Sequence, residues 1–177
     1  MIIPNWNAPK NVKAFCSTRV GGFSLPPYDG LNLGSHVGDN LAAVMRNREW
    51  LEQQSQMPSS PIWLNQTHST VVVKQDSPTL EVVDADGCYT TKQGVVCSAM
   101  TADCLPVLIA DKAGTQVAAV HAGWRGLADG IVENAVKLFD GEVMVWLGPA
   151  IGQKHSKLET KWLRHFAVIS PKLELHS

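Results

Sequence analysis

Six short runs rich in β-branched and apolar residues recur between positions 62 and 147, at 62–67, 70–74, 94–100, 105–110, 115–121 and 142–147. Runs this short, bounded by Gly, Pro, Asn and Asp, read as strands joined by turns. A further strand is expected at 12–18. Helical spacing recurs in only two places. Over 40–53, Leu41, Val44, Met45 and Leu51 fall on one face, with Asp39 or Asn40 available as a cap. Over 126–139, Leu127, Ile131, Ala135 and Leu138 do the same. Strands and helices do not alternate, so the pattern predicts an α+β fold rather than a doubly wound parallel sheet. There is no internal repeat and no low-complexity segment.

A chain of 177 residues, 45% hydrophobic and 18% charged, suits one globular domain with its own core. The formal net charge is -1, with Lys and Arg dispersed, which argues against a nucleic-acid-binding face. No apolar run reaches the roughly 18 residues of a membrane span. The start, Met1-Ile2-Ile3-Pro4-Asn5-Trp6, lacks the basic-then-apolar order of a secretory signal, so a cytoplasmic setting with reduced thiols is expected. The four cysteines, 16, 88, 97 and 104, form no C-x-x-C pair. Cys16, Cys88 and Cys97 read as small buried hydrophobes. The sequence sets no oligomeric state.

Gly21-Gly22 and Pro26-Pro27 break the chain into a long loop ending near Gly38. Loops of that length inside a compact domain are often functional. This one carries Arg19, Asn32, His36 and Asp39.

Reactive side chains concentrate in three dense motifs: Asn65-Gln66-Thr67-His68, Thr101-Ala102-Asp103-Cys104-Leu105-Pro106 and His121-Ala122-Gly123-Trp124-Arg125-Gly126. Two imidazoles and one thiolate suit zinc, and three protein ligands leave a fourth position open, the mark of a catalytic site. Each residue also has an ordinary reading. His68 alone is more often a satisfied or exposed histidine, and Cys104 alone a core thiol. Judged alone, the third motif reads more readily as a turn in which Gly123 and Gly126 permit unusual backbone angles and Trp124 plugs the core. As a functional motif, it places Arg125 beside a helix N-terminus, a pairing that suits phosphate. Asp103 should raise the pKa of the neighbouring thiol, unless a bound metal inverts that logic. The three residues lie far apart along the chain and match no compact metal-finger spacing.

Taken together, the motifs closely resemble the YfiH-like family, described as multicopper polyphenol oxidoreductases or laccases and also as purine nucleoside phosphorylases. The resemblance is carried by Ser17-Thr18-Arg19-Val20-Gly21-Gly22-Phe23-Ser24, His36-Val37-Gly38-Asp39, Gln66-Thr67-His68, Ala85-Asp86, the Cys104 and His121 motifs, and Trp146-Leu147-Gly148-Pro149-Ala150-Ile151-Gly152. It implies that His68, Cys104 and His121 are zinc ligands. It implies phosphorolysis of adenosine, inosine and methylthioadenosine, with an adenosine deaminase activity. It implies two mixed β-sheets packed together and flanked by helices, similar to cysteine-dependent deamidating toxin domains. On that footing Asp103 and Cys104 are the expected catalytic residues, Asp103 as proton carrier. Arg19 and Arg125 are expected to hold phosphate, because a guanidinium matches its oxygens in pairs. Asn32 and His36 are expected to touch nucleoside or phosphate. Purine nucleosides and phosphate are the expected partners, with neither nucleic acid nor membrane.

The resemblance covers residues 1–152, read as a single catalytic domain, and stops after Gly152. One set of synonymous codons for residues 154–166, read in a shifted frame, restores the family's Phe-Glu-Val-Gly stretch. Residues 153–177 are therefore expected to be a frameshifted tail, with His155, His165 and His176 as bystanders. Three rival functions stay open. A copper polyphenol oxidase needs several His-rich centres, and only six histidines are present. A metal-free hydrolase would use Cys104 as nucleophile with His68 or His121 as base. The third rival is an inactive, truncated remnant.

Overall fold

The computed structural model describes residues 1–152, 155 and 156. The frameshift expectation therefore falls almost wholly outside the described residues. In chain order the elements are α1 (Leu41–Gln54), β1 (Pro61–Ile62), β2 (Leu64–Asn65), β3 (Val72–Lys74), β4 (Val83–Asp84), β5 (Gly87–Thr90), β6 (Val96–Cys97), β7 (Leu105–Asp111), β8 (Val117–Ala122), α2 (Trp124–Ala128), α3 (Ile131–Val136) and β9 (Val143–Leu147).

The fold is α+β, as the pattern predicts. Its centre is a five-stranded mixed sheet in the order β3-β5-β8-β7-β9. Only β3 and β5 run parallel; the other neighbours are antiparallel. Among the described residues two further short parallel pairs form, β1 with β6 and β2 with β4. Side chains alternate across β5, so Tyr89 and Cys88 point to opposite faces. On the Tyr89 face, Val107, Ile109 and Val120 pack against Ile131, Ala135 and Phe139 of the helical layer. On the other, Cys88 packs with Ile62, Leu64 and Ala85. Each fully buried Val or Ile here contributes on the order of 1.5–3 kcal/mol.

Several expectations need correction. Residues 12–18 form no strand; Cys16 makes only an isolated antiparallel bridge with Ile2. The helix expected over 126–139 is two short helices, because Gly130 adopts a left-handed backbone (φ 91°) between them. β5 was not anticipated, since Gly-Cys-Tyr-Thr shows no alternation, yet all four residues are buried. In α1, Asn40 does cap the helix, its side chain accepting from the Ala43 N–H. Its inward face, however, is Val44, Asn47, Arg48 and Leu51, whereas Leu41 and Met45 are exposed. Asn47 and Arg48 take core-facing positions because the preceding loop gives them hydrogen-bond partners. Of the three cysteines read as buried, Cys88 is buried, while Cys16 and Cys97 are only partly so.

The register explains where a site can form. Leu105 pairs with Ala122 at the end of the β7–β8 hairpin, so Cys104 and Gly123 meet just beyond it. Gly87 pairs with Val120, so Asp86 falls beside His121, whose N–H donates to the Asp86 carbonyl at 2.7 Å. Val72 pairs with Gly87, which brings the chain that follows His68 to the same end. One end of the sheet thus gathers three distant motifs.

Candidate metal centre

His121 lies on β8 and is 4% exposed. Cys104 is half-buried in the bend before β7, and His68 is exposed in the turn between β2 and β3. One ligand atom from each lies within 4.8 Å of the other two. Cys104 Sγ is 3.9 Å from His68 Nε2, and the two imidazoles meet edge-on with centroids 4.9 Å apart. Three such donors gathered this closely could hold a single ion. Among the described residues this is the one such group.

Two glycines make the convergence possible, for a reason other than unusual backbone angles. Gly123 has φ -62° and ψ 159°, ordinary for any residue. A Cβ there would lie 2.7 Å from His68 Cδ2 and 3.4 Å from Cys104 Sγ. A Cβ at Gly126 would lie 2.9 Å from the Ser69 carbonyl oxygen. Both positions are empty so that the His68 turn can press against the β8–α2 corner.

The residue that sequence reasoning passed over is Asp86. It is fully buried and accepts hydrogen bonds from His121 Nδ1 and from the backbone of Thr67, His68 and Ser69. Burial alone would raise its pKa, but the donors outweigh that and hold the carboxyl below its ordinary value. The available signal was an acidic residue inside the apolar Val82–Gly87 stretch. Gln66 ties the other side together. Its amide donates to the Met100 carbonyl and accepts from the Met100 N–H, both at 2.7 Å, joining the His68 and Cys104 segments.

The Cys104 thiol is pushed above its ordinary pKa, first by burial and then by the charge of Asp103 and its hydrogen bond. That is the direction the sequence predicts. A thiol this reluctant to ionise needs a cation to become a good ligand or nucleophile.

The three donors open onto a cleft of about 1880 Å³ whose walls include Arg19, Asn32, His36, Trp63 and Asp103. Arg19 is paired with Asp29, through its carboxylate at 3.0 Å and its carbonyl at 2.8 Å. The Asn32 amide is engaged within its own loop, donating to Asp39 at 2.8 Å and accepting from the Gly34 N–H. His36 and Asp103 are exposed on the cleft wall. Arg125 is not brought to this wall. Helix α2 begins at Trp124, before Gly126, and the Arg125 guanidinium stacks on the Trp124 ring at 4.4 Å.

Fold and site together define an α+β protein with a three-donor metal-binding group at the rim of a cleft. The chain matches the model of the multi-copper polyphenol oxidoreductase laccase family over residues 13–176 and belongs to that family. The match runs past residue 152. Similar proteins include a purine nucleoside phosphorylase of Haemophilus influenzae, 48% identical over 98% of this chain and 72% of its own length. Purine nucleoside phosphorylase YfiH of Escherichia coli K12 is 50% identical over 87% of this chain and 65% of its own. The chain therefore spans about two thirds to three quarters of these relatives. Among solved structures, Neisseria meningitidis protein NMB0706 aligns with a TM-score of 0.87 and 46% identity, covering 94% of this chain and 69% of that one. YlmD of Geobacillus stearothermophilus aligns at 0.78 and 28%, covering 88% and 64%. Among the described residues no helix is long and apolar enough to cross a membrane.

Proposed function

We propose that this chain is a zinc-dependent purine nucleoside phosphorylase, taking adenosine, inosine or methylthioadenosine with phosphate to free base and ribose 1-phosphate, and that it also deaminates adenosine. The observation that carries this reading is one thiol and two imidazoles meeting at the rim of a cleft. The names borne by its relatives support the choice of substrate.

His68, Cys104 and His121 would hold the ion and leave a fourth position open. When bound, zinc supplies Lewis-acid polarisation of water or of a substrate oxygen at neutral pH. Arg19, on the cleft wall and paired with Asp29, would hold phosphate; Arg125, stacked on Trp124 away from that wall, is left out of this role. His36 and Asn32 line the nucleoside's path. Asp103, exposed beside Cys104, carries the proton that the departing base gains or that the attacking water loses. Its backbone is steadied by the Ile151 N–H at 2.9 Å. Zinc is preferred to copper because a multicopper oxidase needs several centres, and one donor group is present among the described residues. Free thiols at all four cysteines agree with a cytoplasmic setting. Kinship with cysteine-dependent deamidating toxin domains belongs to the same reading.

One observation favours a second reading. Cys104 Sγ at 3.9 Å from His68 Nε2 resembles the spacing of a metal-free thiol–imidazole pair. The raised thiol pKa opposes it, since little thiolate would form without a cation. Residues 153–177 we continue to read as frameshifted and without inherited function. Sequencing the DNA across codons 150–156 decides that, and an unbroken frame with incompatible codons ends it.

The test is an assay with adenosine and phosphate, following ribose 1-phosphate and inosine separately, on protein analysed for zinc and copper. About one zinc per chain with phosphate-dependent release of ribose 1-phosphate is expected. Zinc-loaded protein that forms neither product overturns the proposal.

A further inference from the structure

We propose that Asp86 is the positioning residue that builds the three-donor site, setting the tautomer of one histidine and the backbone of the other. The inference rests on the donors being a metal site, and not on the nucleoside chemistry.

Asp86 is 0% exposed, and a buried carboxylate needs strong compensation. Five donors supply it. Oδ1 accepts from His121 Nδ1 at 2.8 Å and the His68 N–H at 3.0 Å. Oδ2 accepts from the Ser69 N–H at 2.6 Å, the Ser69 hydroxyl at 2.7 Å and the Thr67 N–H at 3.2 Å. An ionised carboxylate only accepts, so His121 Nδ1 must carry the hydrogen. The Nε2 lone pair is then free and faces Cys104 and His68. The opposite tautomer would leave two acceptors in contact and no donor atom for an ion.

The second effect acts through the main chain. Three successive N–H groups, from Thr67, His68 and Ser69, converge on the one carboxylate. Such convergence bends the chain tightly, and His68 takes a left-handed backbone with φ 60°. A non-glycine residue in that region is strained unless its surroundings impose it. Here the imposed turn sets the His68 ring against Gly123, beside Cys104 Sγ. One buried side chain therefore aims two ligands that lie on different elements.

An asparagine cannot substitute. Its NH2 would face either the His121 Nδ1–H and His68 N–H or the two backbone donors of the Thr67–Ser69 turn. One histidine would lose its orientation in either arrangement.

The experiment is a Co2+ titration of metal-free wild type, Asp86→Asn and Ser69→Ala, read through ligand-field and thiolate-to-cobalt absorption. Loss of such an outer partner typically weakens metal binding about 10- to 100-fold. That loss is expected for Asp86→Asn, with a weaker thiolate band at saturation. Ser69→Ala keeps the carboxylate and four of its five donors, so its affinity for Co2+ should fall less than that of Asp86→Asn. In the metal-free wild type, long-range proton–nitrogen spectra of the His121 ring, assigned with His121→Ala, should show Nδ1–H. Equal cobalt affinity in Asp86→Asn, or an Nε2–H tautomer in wild type, overturns the inference and leaves the metal reading standing. A wild type that binds no cobalt removes the metal reading itself and this inference with it.

Discussion

Asp86 and Asn47 are both fully buried polar side chains that hold irregular backbone in place, and they do it with opposite chemistry. Asp86 meets only donors, and a carboxylate accepts in every direction. Asn47, on α1, faces the 19–39 loop, which presents both kinds of group. It accepts from the Phe23 N–H at 2.7 Å and donates to the Asn32 carbonyl at 2.8 Å and the Ser24 hydroxyl at 2.9 Å. A neutral amide suits that mixture. The donor end of the sheet is thus fixed by charge at short range, with Gly123 admitting no displacement. The loop wall is closed by a neutral hub, and Arg19 and His36, which line the cleft, stay exposed. The two hubs thus differ in kind: one is a charged acceptor among donors, the other a neutral amide among mixed partners.

The hardest test of the contrast is Cys104→Ala. It should strip the metal and abolish both activities, while its unfolding midpoint stays near that of metal-free wild type, because Cys104 is only half-buried. A variant with full turnover would dissolve the donor end as a site. Gly123→Ala is next. Its new methyl would displace the His68 ring, and a misplacement of that size should reduce kcat/KM about 100-fold with little change in thermal stability. The same methyl tolerated without loss would mean that the donor end is not rigid.

At the loop wall the balance should reverse. Asn47→Ala leaves buried N–H and C=O groups unpaired, so urea denaturation should show a loss of about 2–3 kcal/mol. Metal content should hardly change. Arg19→Ala, at a side chain 71% exposed, should leave stability untouched and raise the KM for phosphate about tenfold, with nucleoside KM unchanged.

The smallest effect concerns acid. The Asp39 carboxyl is held below its ordinary pKa by hydrogen bonds from Ser24 and then Asn32. Its folded-state pKa is depressed, so its stabilising effect is present above the unfolded-state value near 3.9 and fades as pH falls through the folded one. Asp39→Asn should therefore be less stable than wild type at neutral pH, and the gap should close in strong acid. A gap that is constant with pH would mean the loop gains nothing from the charge.

Local pattern alone was enough for α1, for β7, β8 and β9, and for the α+β class, because those segments carry their own periodicity; between Asp39 and Asn40 as the cap of α1 the structure decides for Asn40. His68, Cys104 and His121 stood out by their chemistry and by family resemblance. Their meeting was not legible from spacing, since it depends on β5, β7 and β8 ending together. β5 itself carried no signal, being buried on both faces. Asp86 is one of two acidic residues in the otherwise apolar Val82–Gly87 stretch, and nothing local separates it from Asp84. Only the register beside Val120 shows that it lies against His121. Residue types and local periodicity are written along the chain, and they determined which elements form and which side chains could bind an ion. Distances between remote residues depend on strand order, and burial decides which carboxylate is shielded enough to orient its neighbours, so both were decided by the tertiary structure.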